Sequence, residues 1–347
     1  MNFNLENIVR ENVKGLSPYS SARDEYISDG SEMVFLDANE NPFENGVNRY
    51  PDPQQRSLKA VLALMQDVNI NQILLGNGSD EVLDLIFRAF CEPNMDNIIT
   101  MPPTYGMYKV LSGINSVENR EILLRDNFQP DLHAVKNAID AHTKIIFICS
   151  PNNPSGNSIT PEIIDELLDS FKGLIVIDEA YIDFSPNQSW LTKLDEHPNL
   201  VVTQTLSKAY GMAGVRLGIC YASNEIISIL NKIKPPYNIN ELTQQKALAR
   251  LSNTTQIQRE ISDILEERSN LIVALKSLEF ISKIYETNAN FVLVKVDDAT
   301  KRYNQLLEKG IVTRNRTSQP LCENTLRFTI GTKEENNKLI GVLKSIE

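Results

Sequence analysis

The chain is poor in the features that most quickly place a protein. Its four cysteines, Cys91, Cys149, Cys220 and Cys322, are widely separated and form no CxxC pair. That scatter excludes a disulfide framework and a cysteine-based metal site. Three of them lie in or beside apolar runs, where buried thiols are the ordinary reading. Nowhere do about 18 apolar residues follow one another, the length that a membrane-spanning helix needs. Basic residues are in deficit: 34 Lys and Arg against 45 Asp and Glu give a net charge of -11. No basic stretch offsets it, which argues against nucleic acid as a partner. Small anions stay open as ligands, because a few local arginines bind them whatever the total charge. The opening residues MNFNLENIVRENVKG carry Glu6 and Arg10 and no apolar core. No signal peptide is therefore expected, and the expected location is cytoplasmic. Internal repeats and low-complexity tracts are absent too.

What is present is an alternation. Hydrophobic residues make up 41% of the 347 positions, enough to bury a sizeable core, and the length suits two domains. Short apolar runs recur at 98–100, 120–124, 144–150, 174–180, 201–206 and 217–222, several of them nearly continuous and β-branched. Runs of that kind suit strands covered on both faces. Helical patterns lie between them. In TPEIIDELLDSFK (160–172), Thr160 is placed to cap, Pro161 suits the first helical position and Glu162 favours the positive end of the helix dipole. Such alternation predicts an α/β domain with a mostly parallel sheet. After Pro235 and Pro236 the character changes. Long amphipathic helix is expected over 241–279, in one piece or two, then a strand at 291–296, a helix ending at Gly310 and strands near 311–314 and 326–330. We therefore expect a large domain over 38–238, with 1–37 and 239–347 forming an N-terminal arm and a small α+β domain.

The most informative segment is TLSKAYGMAGVRLG (205–218). A single lysine is usually a solvated surface residue. Lys208, however, directly follows an apolar strand in a Ser- and Gly-rich turn, and strand ends of α/β sheets are where ligands bind. A lysine there can be desolvated enough to act as a Schiff-base amine. Asp178 ends the run LIVID, where a carboxylate is costly without a cationic partner. A protonated pyridine nitrogen is such a partner, and keeping it charged preserves the ring as an electron sink. Three residues on, Tyr181 can reach a phenolic oxygen of the same ring, although a half-buried core tyrosine is the plain alternative. In SPNNPSG (150–156), Asn153 can donate to that oxygen, whereas Asn152 reads as a turn residue. Finally, GNGSDE (76–81) opens an apolar helix and offers free backbone N–H groups to an anion, a simple helix cap being the rival reading. Thr205, Ser207 and Arg216 would complete a phosphate cup, with Arg216 matching phosphate bidentately. Asp80 and Glu81 would repel phosphate unless they face outwards.

Taken in order, Asn153, Asp178, Tyr181, Ser207-Lys208 and Arg216 resemble the signatures of fold-type I aminotransferases of class I/II. Within that superfamily the chain is similar to the histidinol-phosphate aminotransferases. The likeness rests on LSPYSSAR (16–23), LDANENP (36–42), RYPDP (49–53), GIVTR (310–314) and LRFTIG (326–331), and so spans nearly the whole chain. Ser155 stands where the family often has Thr.

The resemblance implies a pyridoxal 5'-phosphate enzyme with a large sheet sandwiched by helices and a smaller α+β domain. It assigns Tyr105 to stacking on the cofactor ring, and Gly78, Ser79 and Asp80 to its phosphate. Tyr50 would reach that phosphate from the partner subunit of a homodimer. Arg314 and Arg327, with Tyr19, would bind the acidic ends of substrates; a surface ion pair is the commoner role of any one arginine. The implied reaction takes L-histidinol phosphate and 2-oxoglutarate to imidazole-acetol phosphate and L-glutamate, in histidine biosynthesis. An aromatic-amino-acid aminotransferase and a phosphothreonine-type decarboxylase share most of these residues. A cofactor-sensing regulator would need an added DNA-binding module, and a catalytically dead scaffold should have lost Lys208 or Asp178.

Overall fold

A computed structural model of the chain describes residues 3–18 and 34–346. Seven strands form the main sheet: β1 (Ile73–Asn77), β2 (Asn97–Thr100), β3 (Glu118–Glu121), β4 (Thr143–Cys149), β5 (Leu174–Asp178), β6 (Leu200–Thr205) and β7 (Leu217–Ala222). Their spatial order is β1-β7-β6-β5-β4-β2-β3. β3, β2, β4, β5 and β6 are mutually parallel, and only β7 runs against both its neighbours.

The continuous apolar runs of the central strands have a direct cause in the layering. Along β5, Leu174 and Val176 enter one core while Ile175 and Ile177 enter the other. The same two-residue alternation divides Ile145 and Phe147 from Ile146 and Ile148 on β4. One face is covered by helices Gly78–Phe90, Met107–Ile114 and Asn224–Ile233, the other by Arg56–Gln66, Pro161–Ser170 and Glu241–Leu251. Of the N-terminal segment, Ile8, Val9 and Val13 are buried in the first of these layers, and Arg10 pairs with Glu92. Ala247 and Leu251 belong to the opposite layer of the same sheet.

A second sheet follows, built from β8 (Ile281–Ile284), β9 (Phe291–Val296), β10 (Arg314–Asn315) and β11 (Thr325–Thr329) in the antiparallel order β10-β11-β9-β8. Helices Thr254–Leu275, Ala299–Glu308 and Lys333–Ser345 pack on it around Val292, Val294, Leu326 and Phe328. No helix among the described residues is long and apolar enough to cross a membrane.

Several local expectations need correction. The segment 241–279 forms two helices, broken at Ser252 and Asn253, where Asn253 caps the second through the Gln256 N–H. Thr160 makes no capping bond; its hydroxyl donates to Gln129 instead, at 2.9 Å. β3 begins two residues before the expected run, because its pairing is set by backbone bonds to β2 and its side chains lie on an exposed edge. β1, β8 and the closing helix Lys333–Ser345 went unread: β1 has only three apolar residues before a glycine, and β8 carries a half-exposed ISKI pattern.

Candidate active site

β4, β5 and β6 end at the same edge of the sheet, where the antiparallel β7 begins. Four polar segments are thereby gathered from distant parts of the chain. The turn 150–156 leaves β4, Asp178 is the last residue of β5, Lys208 follows β6 by three residues, and Arg216 immediately precedes β7. This is the edge at which open α/β sheets bind ligands. Ser79, Asp80, Tyr105, Asn153, Asp178, Tyr181, Thr205, Ser207, Lys208 and Arg216 line one cavity, together with Cys149 and Ala180.

Lys208 opens onto this cavity, its amine 5.7 Å from the centre of the Tyr181 ring. Burial lowers its pKa, helped by the cations of Arg327 and Arg216 and opposed by Asp178 and Asp80. Asp178 is 2% exposed. Its Oδ2 accepts from the Tyr108 hydroxyl at 2.8 Å and its Oδ1 from the Ala180 N–H at 3.2 Å. Burial pushes the carboxyl up to about 6, against the pull of those donors. Among the described residues no cation pairs with it: the buried acid lacks the partner that its ionised form requires.

At the other end, helix Gly78–Phe90 starts without a side-chain cap, so no side chain of its cap residue accepts from its first-turn N–H groups. Gly78 sits at φ +74°, its N–H bonded to the Arg216 carbonyl at 2.8 Å. A Cβ there would lie 2.6 Å from the Arg216 guanidinium. Arg216 itself has φ +58°, in the left-handed region that non-glycine residues seldom enter. The Thr205 hydroxyl donates to Ser207 Oγ at 3.0 Å and accepts from the Ser207 N–H at 3.1 Å. Asp80 does line the cavity, where it accepts from the Tyr105 hydroxyl at 2.9 Å and lies 3.7 Å from Arg216. Glu81 is turned away and engaged by Asn77 and Asn238.

The second sheet closes the site from above the turn 150–156. The Asn288 N–H donates to the Gly156 carbonyl at 2.7 Å, tying the two units at the turn that carries Asn153. Arg327 reaches the Oδ1 of Asn153 and stacks 5.0 Å from the Phe291 ring. Its guanidinium is held down to about 10 by burial and by Arg316. With Oδ1 claimed by the arginines, the amide nitrogen is the part of the Asn153 side chain left to donate elsewhere. Asn152 is structural, donating to the Pro103 carbonyl and Ser155 Oγ.

Three expected residues lie differently. Arg314 faces Arg327 across the β10–β11 ladder but is exposed; none of Arg314, Arg316 and Arg327 lines the cavity itself, and Arg316 and Arg327 reach it through Asn153. Tyr50 is half exposed and stacks on Tyr237 at 4.5 Å, in a groove formed by residues 37–51 and 236–242, away from Lys208. Tyr19 falls outside the described residues. Two residues went unnoticed in the sequence. Tyr108 reads there as an ordinary core aromatic, and only the fold shows its hydroxyl on Asp178. Arg316 donates to Asn153 at 3.2 Å, and its spacing of two from Arg314 could have flagged it as a neighbour on the same strand face.

Comparison with known proteins gives this geometry its family. The family model described as Aminotransferase class I and II matches residues 32–343. The chain belongs to the class I and II aminotransferases. It is 67% identical to the histidinol-phosphate aminotransferase of Flavobacterium johnsoniae over 343 residues, 99% of this chain and 98% of that one. The crystal structure of the histidinol-phosphate aminotransferase from Clostridium acetobutylicum superposes with a TM-score of 0.80 at 27% identity, covering 86% of this chain and 91% of that one. The Sinorhizobium meliloti enzyme of the same name, solved in complex with pyridoxal-5'-phosphate, shares the fold with a TM-score of 0.79 at 22% identity, over 86% of this chain and 84% of its own. The expected fold, a mostly parallel α/β sheet with a smaller second unit, is the one found. The enzyme is an aminotransferase.

Proposed function

We propose that this aminotransferase takes L-histidinol phosphate as amine donor and 2-oxoglutarate as acceptor, with pyridoxal 5'-phosphate anchored on Lys208. One observation carries the reading: a lysine amine and a buried, cation-less carboxylate face one cavity, with anion-binding groups at both of its ends. The 67% identity to a relative named for this substrate supports the choice of donor.

The residues fit the cofactor on their own chemistry. The uncapped helix start with Ser79, Thr205, Ser207 and Arg216 suits its phosphate, and the buried Asp178 suits a protonated ring nitrogen. Pyridoxal phosphate supplies an electron sink that acidifies the carbon bearing the donor's amine. Asp178 would keep the ring nitrogen charged through a charge-assisted hydrogen bond contributing roughly 1.5–3 kcal/mol. With the cofactor bound, Tyr181 and the Asn153 amide would be placed to donate to its ring oxygen and Tyr105 to cover its ring. Gly78 lets Arg216 approach the phosphate end without a Cβ in the way. The Lys208 amine, which would hold the cofactor, would also be placed to move a proton at the donor's amine-bearing carbon, a role worth about 10²–10⁴-fold. Its lowered pKa leaves a larger free-base fraction for that task. Arg327 binds the acidic end of donor and acceptor alike, since guanidinium pairs with phosphate or carboxylate.

The same reading makes the active unit a homodimer. Val34, Leu36 and Phe43 are 79%, 86% and 79% exposed, an apolar stretch that a partner subunit would cover. Tyr50, a little further along the chain, would then serve the partner's site.

The deciding experiment compares initial rates on histidinol phosphate, phenylalanine and phosphothreonine, each with 2-oxoglutarate. The expected order has kcat/KM for histidinol phosphate at least about 10²-fold above phenylalanine, with no carbon dioxide released from phosphothreonine. A preference for phenylalanine, or decarboxylation, would overturn the choice of substrate while leaving the family intact.

A further inference from the structure

The register of the second sheet puts three arginines on one face. Arg314 on β10 lies directly opposite Arg327 on β11. Arg316 stands two residues further along, its N–H bonded to the Thr325 carbonyl at 2.9 Å, so its side chain shares the face of Arg314. Like charges opposed across a ladder destabilise a sheet, and a sheet gains nothing from a third. Among the described residues, the charged and titratable groups acting on Arg327 are Arg316, Tyr181 and Arg314, those acting on Arg316 are Arg314, Cys322 and Tyr181, and Arg327 in turn acts on Lys208; no carboxylate is among them.

Arg316 and Arg327 both donate to Asn153 Oδ1, a neutral acceptor that cannot balance two cations. In each, the Nε is buried and has no hydrogen-bond partner among the described residues. Arg327 uses Nη1 on Asn153, so its Nε/Nη2 edge, the edge that meets an oxyanion side-on, is left free. Arg316 uses Nη2 and keeps Nε and Nη1. The open donors of both guanidiniums thus lie beside one shared anchor, Asn153, which itself lines the Lys208 cavity, whereas Arg314 is exposed.

We propose that Arg316 is a specificity-determining residue: joined to Arg327 through Asn153, it supplies the second cation that a dianionic phosphate end requires and a single carboxylate does not. A phosphate monoester carries about two negative charges near neutral pH and a side-chain carboxylate one. A one-cation subsite treats the two alike, and a two-cation clamp favours the phosphate. The inference rests on the reading of histidinol phosphate as donor, and it moves the inner anion contact from Arg314 to Arg316.

The test uses the holoenzyme and its Arg316→Gln and Arg316→Lys variants, with Arg314→Gln for comparison. Arg316→Gln should raise KM for histidinol phosphate by about 30-fold and for glutamate by less than about five-fold, with kcat within about three-fold for both. Arg316→Lys, which keeps the charge and loses the fork, should fall between, and Arg314→Gln should shift the ratio less than either. As a readout free of turnover, calorimetry with inorganic phosphate should show about 30-fold weaker binding by the Arg316→Gln holoenzyme. Equal losses for both donors, unchanged phosphate binding, or a larger effect at Arg314 would overturn the proposal. Should the unaltered enzyme ignore histidinol phosphate, the donor assignment fails, and phosphate binding still decides the role of Arg316. Unchanged melting temperatures establish that the variants are folded.

Discussion

Asp178 stands in the chain as a buried acid awaiting a cation, and its stability effect has a definite sign. Its folded pKa, about 6, lies above that of an unfolded aspartate, so the native state binds the extra proton. The penalty is absent below about pH 4, grows between about pH 4 and 6, and is constant above. Cofactor-free Asp178→Asn protein should therefore be more stable than the parent at pH 8, by up to roughly 3 kcal/mol, with the gap closing below about pH 5. Chemical denaturation at the two pH values checks this. The same variant with cofactor supplied should lose at least about 10³-fold in kcat, since Asn cannot hold the ring nitrogen charged. Tyr108 acts through Asp178 as a positioning residue. Removing its hydroxyl in Tyr108→Phe takes a donor from the charged carboxylate. The acidic limb of the kcat/KM–pH profile should move up by about one unit, the equivalent of roughly 1.4 kcal/mol. A packing role alone would lower the melting temperature and leave that limb in place.

At the scale of elements, the site depends on how closely β7 approaches the start of helix Gly78–Phe90. A Cβ on Gly218 would lie 2.2 Å from backbone atoms of Gly78 and Ser79, whereas one on Gly214 meets nothing within 4 Å. Gly218→Ala should thus force the strand and the helix start apart, with cofactor affinity falling at least about tenfold and the melting temperature falling as well. Gly214→Ala should change neither. A fluorescence titration with pyridoxal phosphate distinguishes the two. The order of polar residues along the strand ends is also why so much was readable from the sequence. A lysine, an aspartate or an arginine at a strand end is by itself most often structural, so Lys208, Asp178 and Arg216 were legible as a candidate site only through their order and company along the chain. Tyr108 and Arg316 were not, because their meaning lies in contacts across 70 and 163 positions of sequence. β1 and β8 were missed for the related reason that tertiary pairing, and not their own short patterns, makes them strands. The motif of Arg314 marks the right strand, and the register sets it opposite Arg327, with its own side chain exposed.

For the whole molecule, the proposed dimer makes a claim about Tyr50 that a single subunit cannot test. Its ring is half exposed and lies in a groove apart from the Lys208 cavity. If it completes the neighbour's site, then Tyr50→Ala and Lys208→Ala proteins, each impaired alone, should complement on mixing. Random reassortment would restore about a quarter of the parental sites, because half the dimers carry one intact site each. No recovery after verified subunit exchange would remove Tyr50 from the partner's site.

The central claim is that the amine of Lys208 holds the cofactor and yields it to histidinol phosphate. Borohydride reduction followed by peptide mapping tests it directly, run before and after addition of the donor. The account predicts a cofactor-sized mass on the Lys208 peptide beforehand, its loss after excess histidinol phosphate, and its return on adding 2-oxoglutarate. A label on another lysine, or a Lys208 label that histidinol phosphate leaves intact while phenylalanine removes it, would contradict the account.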